Sequence, residues 1–267
     1  MTMSKLKIAA VQMKVRVGDL QANLNRTSIL LQDAVQSGAD LVCFPESVLD
    51  GYACRQPELP DLARPIPCFE SEEIARLALK HKVWVLWSMA ERMGESIYNS
   101  ALLFDRQGKL RLHYRKTHLC REVGEIDAYH PGSSLQISDI NGWTVGVMIC
   151  FDRHYPEVAR SLALQGVQLI IHPTATVWFK PDPLSLNTAM MRTRAYENRC
   201  FILSINQVNY GGGSALFGPW GEVIDVAGEE ETILIVEADP LQLELQPDNH
   251  FDILAGRRPQ LYISEKP

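Results

Sequence analysis

The run Trp143–Cys150, WTVGVMIC, constrains the fold more than any other part of the chain. It is apolar on both alternating faces, so a strand formed there must be covered on both sides. A sheet holding such a strand needs a further layer against each face, and an α/β architecture supplies it.

The rest of the chain alternates in the same way. Lys7–Met13 is a short apolar run of strand length, and Asp19–Ser37 follows with Leu20, Leu24, Leu31 and Val35 at helical spacing, stopped by Gly38. Leu41–Phe44 predicts a strand that ends at Pro45. A second helix is expected from Ser71, with Glu72 and Glu73 in its first turn and Ile74, Leu77 and Ala78 turned inward. Val83–Ser88, Ser100–Asp105 and Lys109–Tyr114 are three β-type segments, the last two close enough across Arg106–Gly108 for a hairpin.

After the central run, a helix is predicted from Tyr155, with Pro156 at its first position and Gly166 just past its end. Gln168–His172 is another buried strand, and Asp182-Pro183 are expected to open a helix running to about Asn198. Phe201–Asn206, Ser214–Phe217, Glu222–Val226 and Thr232–Glu237 complete the set of strands. The 267 residues contain no repeat or low-complexity linker, and they fit one domain over 1–267 with a possible arm over 240–267. Pairing of the strands is not readable from this pattern.

Charge narrows the partners. A net charge of −6 and a pI near 5.7 argue against nucleic acid or an anionic membrane surface, because binding phosphate needs a basic face. No apolar run approaches the roughly 18 residues of a membrane span, and the first residues lead into a strand without a signal-peptide core, so a cytoplasmic location is expected. The six cysteines form neither a C-x-x-C pair nor a cluster at zinc-ligand spacing, which suits free thiols in a reducing compartment.

Three segments carry reactive side chains at or just past the end of a predicted strand: Phe44–Ser47 (FPES), Tyr114–His118 (YRKTH) and Ile149–Glu157 (ICFDRHYPE). Open α/β sheets put their sites at such ends. Cys150 lies between a buried strand and a helix start, where backbone N–H groups favour a thiolate and can bind an oxyanion. With an ordinary pKa of about 8.5 it still needs a base or a cation. Glu46, partly desolvated, suits proton shuttling, and Lys116 can supply positive charge. Arg115–Ser133 is a long polar stretch of the kind that often forms an active-site loop.

In this order the three segments resemble the nitrilase superfamily of carbon–nitrogen hydrolases. The resemblance extends over nearly the whole chain, through GDLQANL, GADLVCFPES, NSALLFDRQGKL, LIIHPTAT, RTRAYEN, GPWGEV and RRPQLY. It implies a four-layer αββα sandwich and a Glu46–Lys116–Cys150 triad acting through a thioester, without metal or organic cofactor. Many members add a second glutamate after the lysine; Glu125, six residues before Pro131, is preferred over Glu122. Phe151-Asp152 replaces the Trp-Glu usual in true nitrilases and turns the expectation toward a linear amide or N-carbamoyl substrate. The Phe151 backbone N–H is expected to share the oxyanion with Lys116. Arg153 is expected either to hold a substrate carboxylate or to serve a structural ion pair. Tyr52 and Trp178 are candidate pocket walls, and a homodimer or higher homo-oligomer is implied by family habit.

Overall fold

The computed structural model describes residues 3–176, 185–244 and 253–262. Twelve strands among them form two six-stranded sheets. The first runs in the order β12 (Thr232–Ala238), β1 (Leu6–Gln12), β2 (Leu41–Cys43), β3 (Trp84–Met93), β4 (Ser96–Phe104) and β5 (Leu110–Arg115). The second runs β11 (Val223–Val226), β10 (Ala215–Phe217), β9 (Phe201–Asn206), β8 (Leu169–Thr174), β7 (Trp143–Val147) and β6 (Ile137–Ile140). In each, three parallel strands lie together: β1, β2 and β3 in one, β7, β8 and β9 in the other.

Alternation along the strands separates the layers. Ile8 and Ala10 of β1, Val145 and Val147 of β7, and Leu203 and Ile205 of β9 point into a common core between the sheets. Ala9 and Val11 point the other way, against Leu24, Leu31 and Ala34 of α1 (Leu20–Gln36) and Ile74 and Leu77 of a later helix, Phe69–His81. On the far side, Ile170 and Ile202 meet Val158 and Leu162 of Pro156–Leu164 and Met191 and Ala195 of Leu186–Asn198. Counting the one-turn helices Leu59–Leu62 (α2), Glu125–Ala128 (α4) and Leu241–Glu244 (α7), the long ones become α3, α5 and α6 in chain order. The result is helix, sheet, sheet, helix: the four-layer αββα sandwich the sequence implied.

Several boundaries differ from expectation, each for a local reason. The expected Asp19–Ser37 helix forms over Leu20–Gln36, with the Asp19 carboxylate capping it at the Ala22 N–H, but α3 starts at Phe69 and not at Ser71. Ser71 is instead its third residue, where its hydroxyl accepts the Cys68 N–H at 2.9 Å. Strand β3 runs on to Met93 because β4 pairs with it residue for residue as far as Met93↔Ser96. Strand β6, which the sequence pattern does not mark, pairs antiparallel with β7, and β12 returns across the chain to pair antiparallel with β1. Ser185 caps α6 through Thr188, so that helix begins at Leu186; the expected Asp182-Pro183 start lies outside the described residues. Among the described residues no helix is long and apolar enough to cross a membrane.

The central run ends early. Strand β7 stops at Val147, and Cys150 opens a 3-10 turn, Cys150–His154, before α5. The Ile149 N–H leaves the ladder to donate to Asp152 Oδ2 at 2.8 Å, and Cys150 takes a φ of +42°. A turn, not a strand end, therefore presents the thiol.

Candidate active site

Glu46, Lys116 and Cys150 follow the C-terminal ends of β2, β5 and β7. Glu46 comes just past Pro45, and its carbonyl accepts Gln207 Nε2 at 2.7 Å. Lys116 is held at both ends of its backbone: its N–H donates to Asn99 at 2.8 Å, and its carbonyl accepts the Gly132 N–H at 2.8 Å. Gly132 sits so close that a Cβ there would lie 2.2 Å from the Arg115 carbonyl oxygen, so glycine is required for this approach.

The ammonium of Lys116 donates to Glu46 Oε1 at 2.8 Å and to Glu125 Oε1 at 2.6 Å, all three side chains being fully buried. Asn99 Nδ2 donates to Glu46 Oε1 at 2.8 Å. Tyr52 donates to Glu125 Oε1 at 3.0 Å, and the Cys120 N–H donates to its Oε2 at 2.7 Å. Glu46 Oε2 has no hydrogen-bond partner among the described residues. Burial raises the Glu46 carboxyl, with the nearby Glu125 adding to the effect and Lys116 opposing it. Burial alone would lower Lys116, but Glu46, Cys150 and Glu125 hold it well above its ordinary value, so it stays charged.

Burial, then Glu46, push the Cys150 thiol up to about 11 against the opposing charges of Lys116 and Arg153. The nearby helix start does not bring it down, and the thiol needs a base, as the sequence led one to expect. Five residues of turn stand between Cys150 and α5, and burial outweighs any helix contribution. Glu122, by contrast, is exposed beside Cys120, away from the lysine. The second buried carboxylate on Lys116, beside Glu46, is Glu125.

The sequence model described as Carbon-nitrogen hydrolase matches residues 7–246. The chain belongs to the carbon–nitrogen hydrolase family. Among curated relatives it is 32% identical to "Hydrolase in pqqF 5'region" of Pseudomonas protegens, over 96% of this chain and 90% of that one. It is 30% identical to "Omega-amidase NIT2-A" of Xenopus laevis, over 99% of each. Among solved structures, an amidase from Nesterenkonia sp. superposes with a TM-score of 0.82 at 25% identity, covering 98% of this chain and 96% of that one.

In this carbon–nitrogen hydrolase Tyr52 is buried, its ring edge-on to Tyr210 with centroids 5.9 Å apart. Burial and then Glu46, Cys54 and Cys150 push the Tyr210 phenol up to about 12, which sets that ring beside the site too. Phe151 is half-buried, its ring tilted against His154 and edge-on to Tyr155. Arg153 is 3% exposed and has no carboxylate within ion-pair distance among the described residues. It donates instead to the Cys150 carbonyl at 2.9 Å, Asn187 Oδ1 at 3.0 Å and Thr176 Oγ1 at 3.3 Å, so the expected structural ion pair is not formed there. Trp178 lies outside the described residues.

Sequence reasoning missed Asn99, Asp152, His172, Gln207 and Tyr210 as members of this region. Asn99, Asp152 and His172 stand inside motifs that the resemblance rests on, NSALL, FDRHYPE and LIIHPTAT; that was the available signal.

Proposed function

We propose that the chain hydrolyses a non-peptide C–N bond of a small linear amide or N-carbamoyl compound, with Cys150 as nucleophile. The observation that carries this is a buried lysine shared by two buried carboxylates beside a buried thiol. Glu46, through its free Oε2, takes the thiol proton as Sγ attacks the carbonyl carbon. Lys116 and the Phe151 N–H hold the oxyanion. Glu46 returns the proton to the departing nitrogen, ammonia leaves, and a thioester remains on Cys150. Water, deprotonated by Glu46 or Glu125, then releases the acid and restores the thiol.

A thiol at about 11 beside a carboxyl raised by burial above its ordinary value supports this order of events, since attack and proton transfer then occur together and no free thiolate is stored. A glutamate-to-glutamine mutant of the amidase from Nesterenkonia sp. AN1 "showing covalent addition of the acetamide moiety of fluoroacetamide at the active site cysteine" supports a cysteine nucleophile by analogy.

Arg153 favours a substrate with a carboxylate at its far end. A buried guanidinium without an anionic partner among the described residues is costly, and a substrate carboxylate accepting the Nη2 hydrogen that Thr176 leaves open would relieve that cost. Exposed Leu164 on α5 and Leu186 and Tyr196 on α6 support a homo-oligomer joined through that layer, which light scattering tests by mass. The substrate is tested by ammonia release from ω-amides, aliphatic amides, and N-carbamoyl amino acids or amines. Carbon dioxide released together with ammonia marks a carbamoyl substrate, ammonia alone a plain amide. Failure of every class at matched protein folding would reject the reading.

A further inference from the structure

Cys150 adopts a φ of +42°, a left-handed conformation uncommon for residues other than glycine, asparagine and aspartate. Such a residue persists only where its surroundings over-determine it. Two donors converge on its carbonyl oxygen: Arg153 Nη1 at 2.9 Å and His172 Nε2 at 3.1 Å. His172 is fully buried on β8, and its Nδ1 lies 2.8 Å from the hydroxyl of Ser204, its register partner on β9.

The proton positions follow from these partners. A carbonyl oxygen only accepts, so His172 Nε2 carries the hydrogen. Burial and the neighbouring Arg153 push the imidazole down to about 3, so the ring is neutral and Nδ1 accepts from Ser204. A chain of donors therefore runs from Ser204 through His172 to the Cys150 carbonyl. That carbonyl shares one peptide group with the Phe151 N–H. Donation to its oxygen polarises the group and strengthens the N–H as a donor.

We infer that His172 is a positioning residue for the nucleophile: its Nε2–H holds the Cys150–Phe151 peptide so that the thiol and the Phe151 N–H both face the reacting carbonyl. The inference rests on the reading of Cys150 as nucleophile.

The test compares H172Q, which can place an amide N–H near Nε2, with H172L, which fills the space without a donor. H172L loses about 10- to 100-fold in kcat with KM unchanged, the scale expected when reacting groups shift by a fraction of an ångström to an ångström. H172Q recovers most of that loss. Rates are expressed per folded molecule, with Tm recorded for each variant. Should H172L fail to fold, S204A reads the same chain of donors: it keeps the ring but frees Nδ1, and kcat falls severalfold at unchanged KM. Wild-type kcat in folded H172L or S204A, or an equal loss in H172Q and H172L, would overturn the inference. Cys150→Ala in the same panel separates the two readings: if it retains turnover the nucleophile reading itself has failed, whereas its inactivity beside a fully active H172L removes only the role of His172.

Discussion

Asp152 Oδ1 accepts the backbone N–H of His118 at 2.9 Å. That bond ties the segment carrying Lys116 to the turn carrying Cys150. The same carboxylate accepts Thr117 Oγ1 at 2.9 Å, the Tyr114 hydroxyl at 2.7 Å and, on the turn's own side, the Ile149 N–H at 2.8 Å. Loop and turn come from different sheets, so Asp152 sets the lysine-to-thiol geometry across the sandwich.

Asp152→Asn keeps the shape but turns one acceptor into a donor facing other donors. A cost of about 1–3 kcal/mol in urea unfolding is expected, with kcat reduced more than KM is raised. Burial alone would raise the Asp152 carboxyl, but the hydrogen bonds from His118, Ile149 and Tyr114 hold it below its ordinary range. Its contribution is therefore present above about pH 4 and is lost as pH falls further. The variant should show a flatter acid side in stability against pH; an unchanged profile would remove this role.

Lys116→Met removes the only cation hydrogen-bonded to either Glu46 or Glu125 among the described residues. Loss of an oxyanion donor predicts a kcat lower by about 10²-fold or more. Two buried carboxylates left unpaired predict a stability loss of about 3–5 kcal/mol at neutral pH, shrinking in acid as they take up protons. A change confined to KM would mean that the lysine only binds substrate.

Much of this site is legible in the sequence, but unevenly. Asp19 and Ser37 bounded α1 because capping and periodicity are local properties. The β1–β12 pairing was not legible, since it joins residues at least 220 positions apart (Gln12↔Thr232) by backbone bonds that carry no sequence signature. Glu46, Lys116 and Cys150 were found through motifs, whereas their convergence on one buried ion cluster depends on how two sheets pack. The upward push on the thiol was not legible for the same reason: a helix start is visible in sequence, and desolvation by a second sheet is not.

The dependence of kcat/KM on pH should report Glu46. Burial raises its carboxyl, and attack needs it ionised, so activity falls as pH drops through a pKa above the ordinary value of about 4.3. A pH–rate profile checks this. An acid limb at or below pH 4 would assign proton transfer to another group.

Gly132→Ala is expected to act at a distance from the chemistry. Its Cβ would collide with the Arg115 carbonyl oxygen, and relief requires the backbone around Lys116 to move. Both Tm and kcat should fall, the latter by about tenfold or more for a displaced oxyanion donor. A lowered Tm with kcat intact would show that Lys116 is positioned independently of this contact.

Cys150→Ala tests the central claim most directly. Ammonia release from the best substrate of the screen is compared between this variant and wild type, at equal folded concentration by circular dichroism and Tm. The account predicts release indistinguishable from the enzyme-free background, with the fold retained. Turnover near the wild-type level would contradict it.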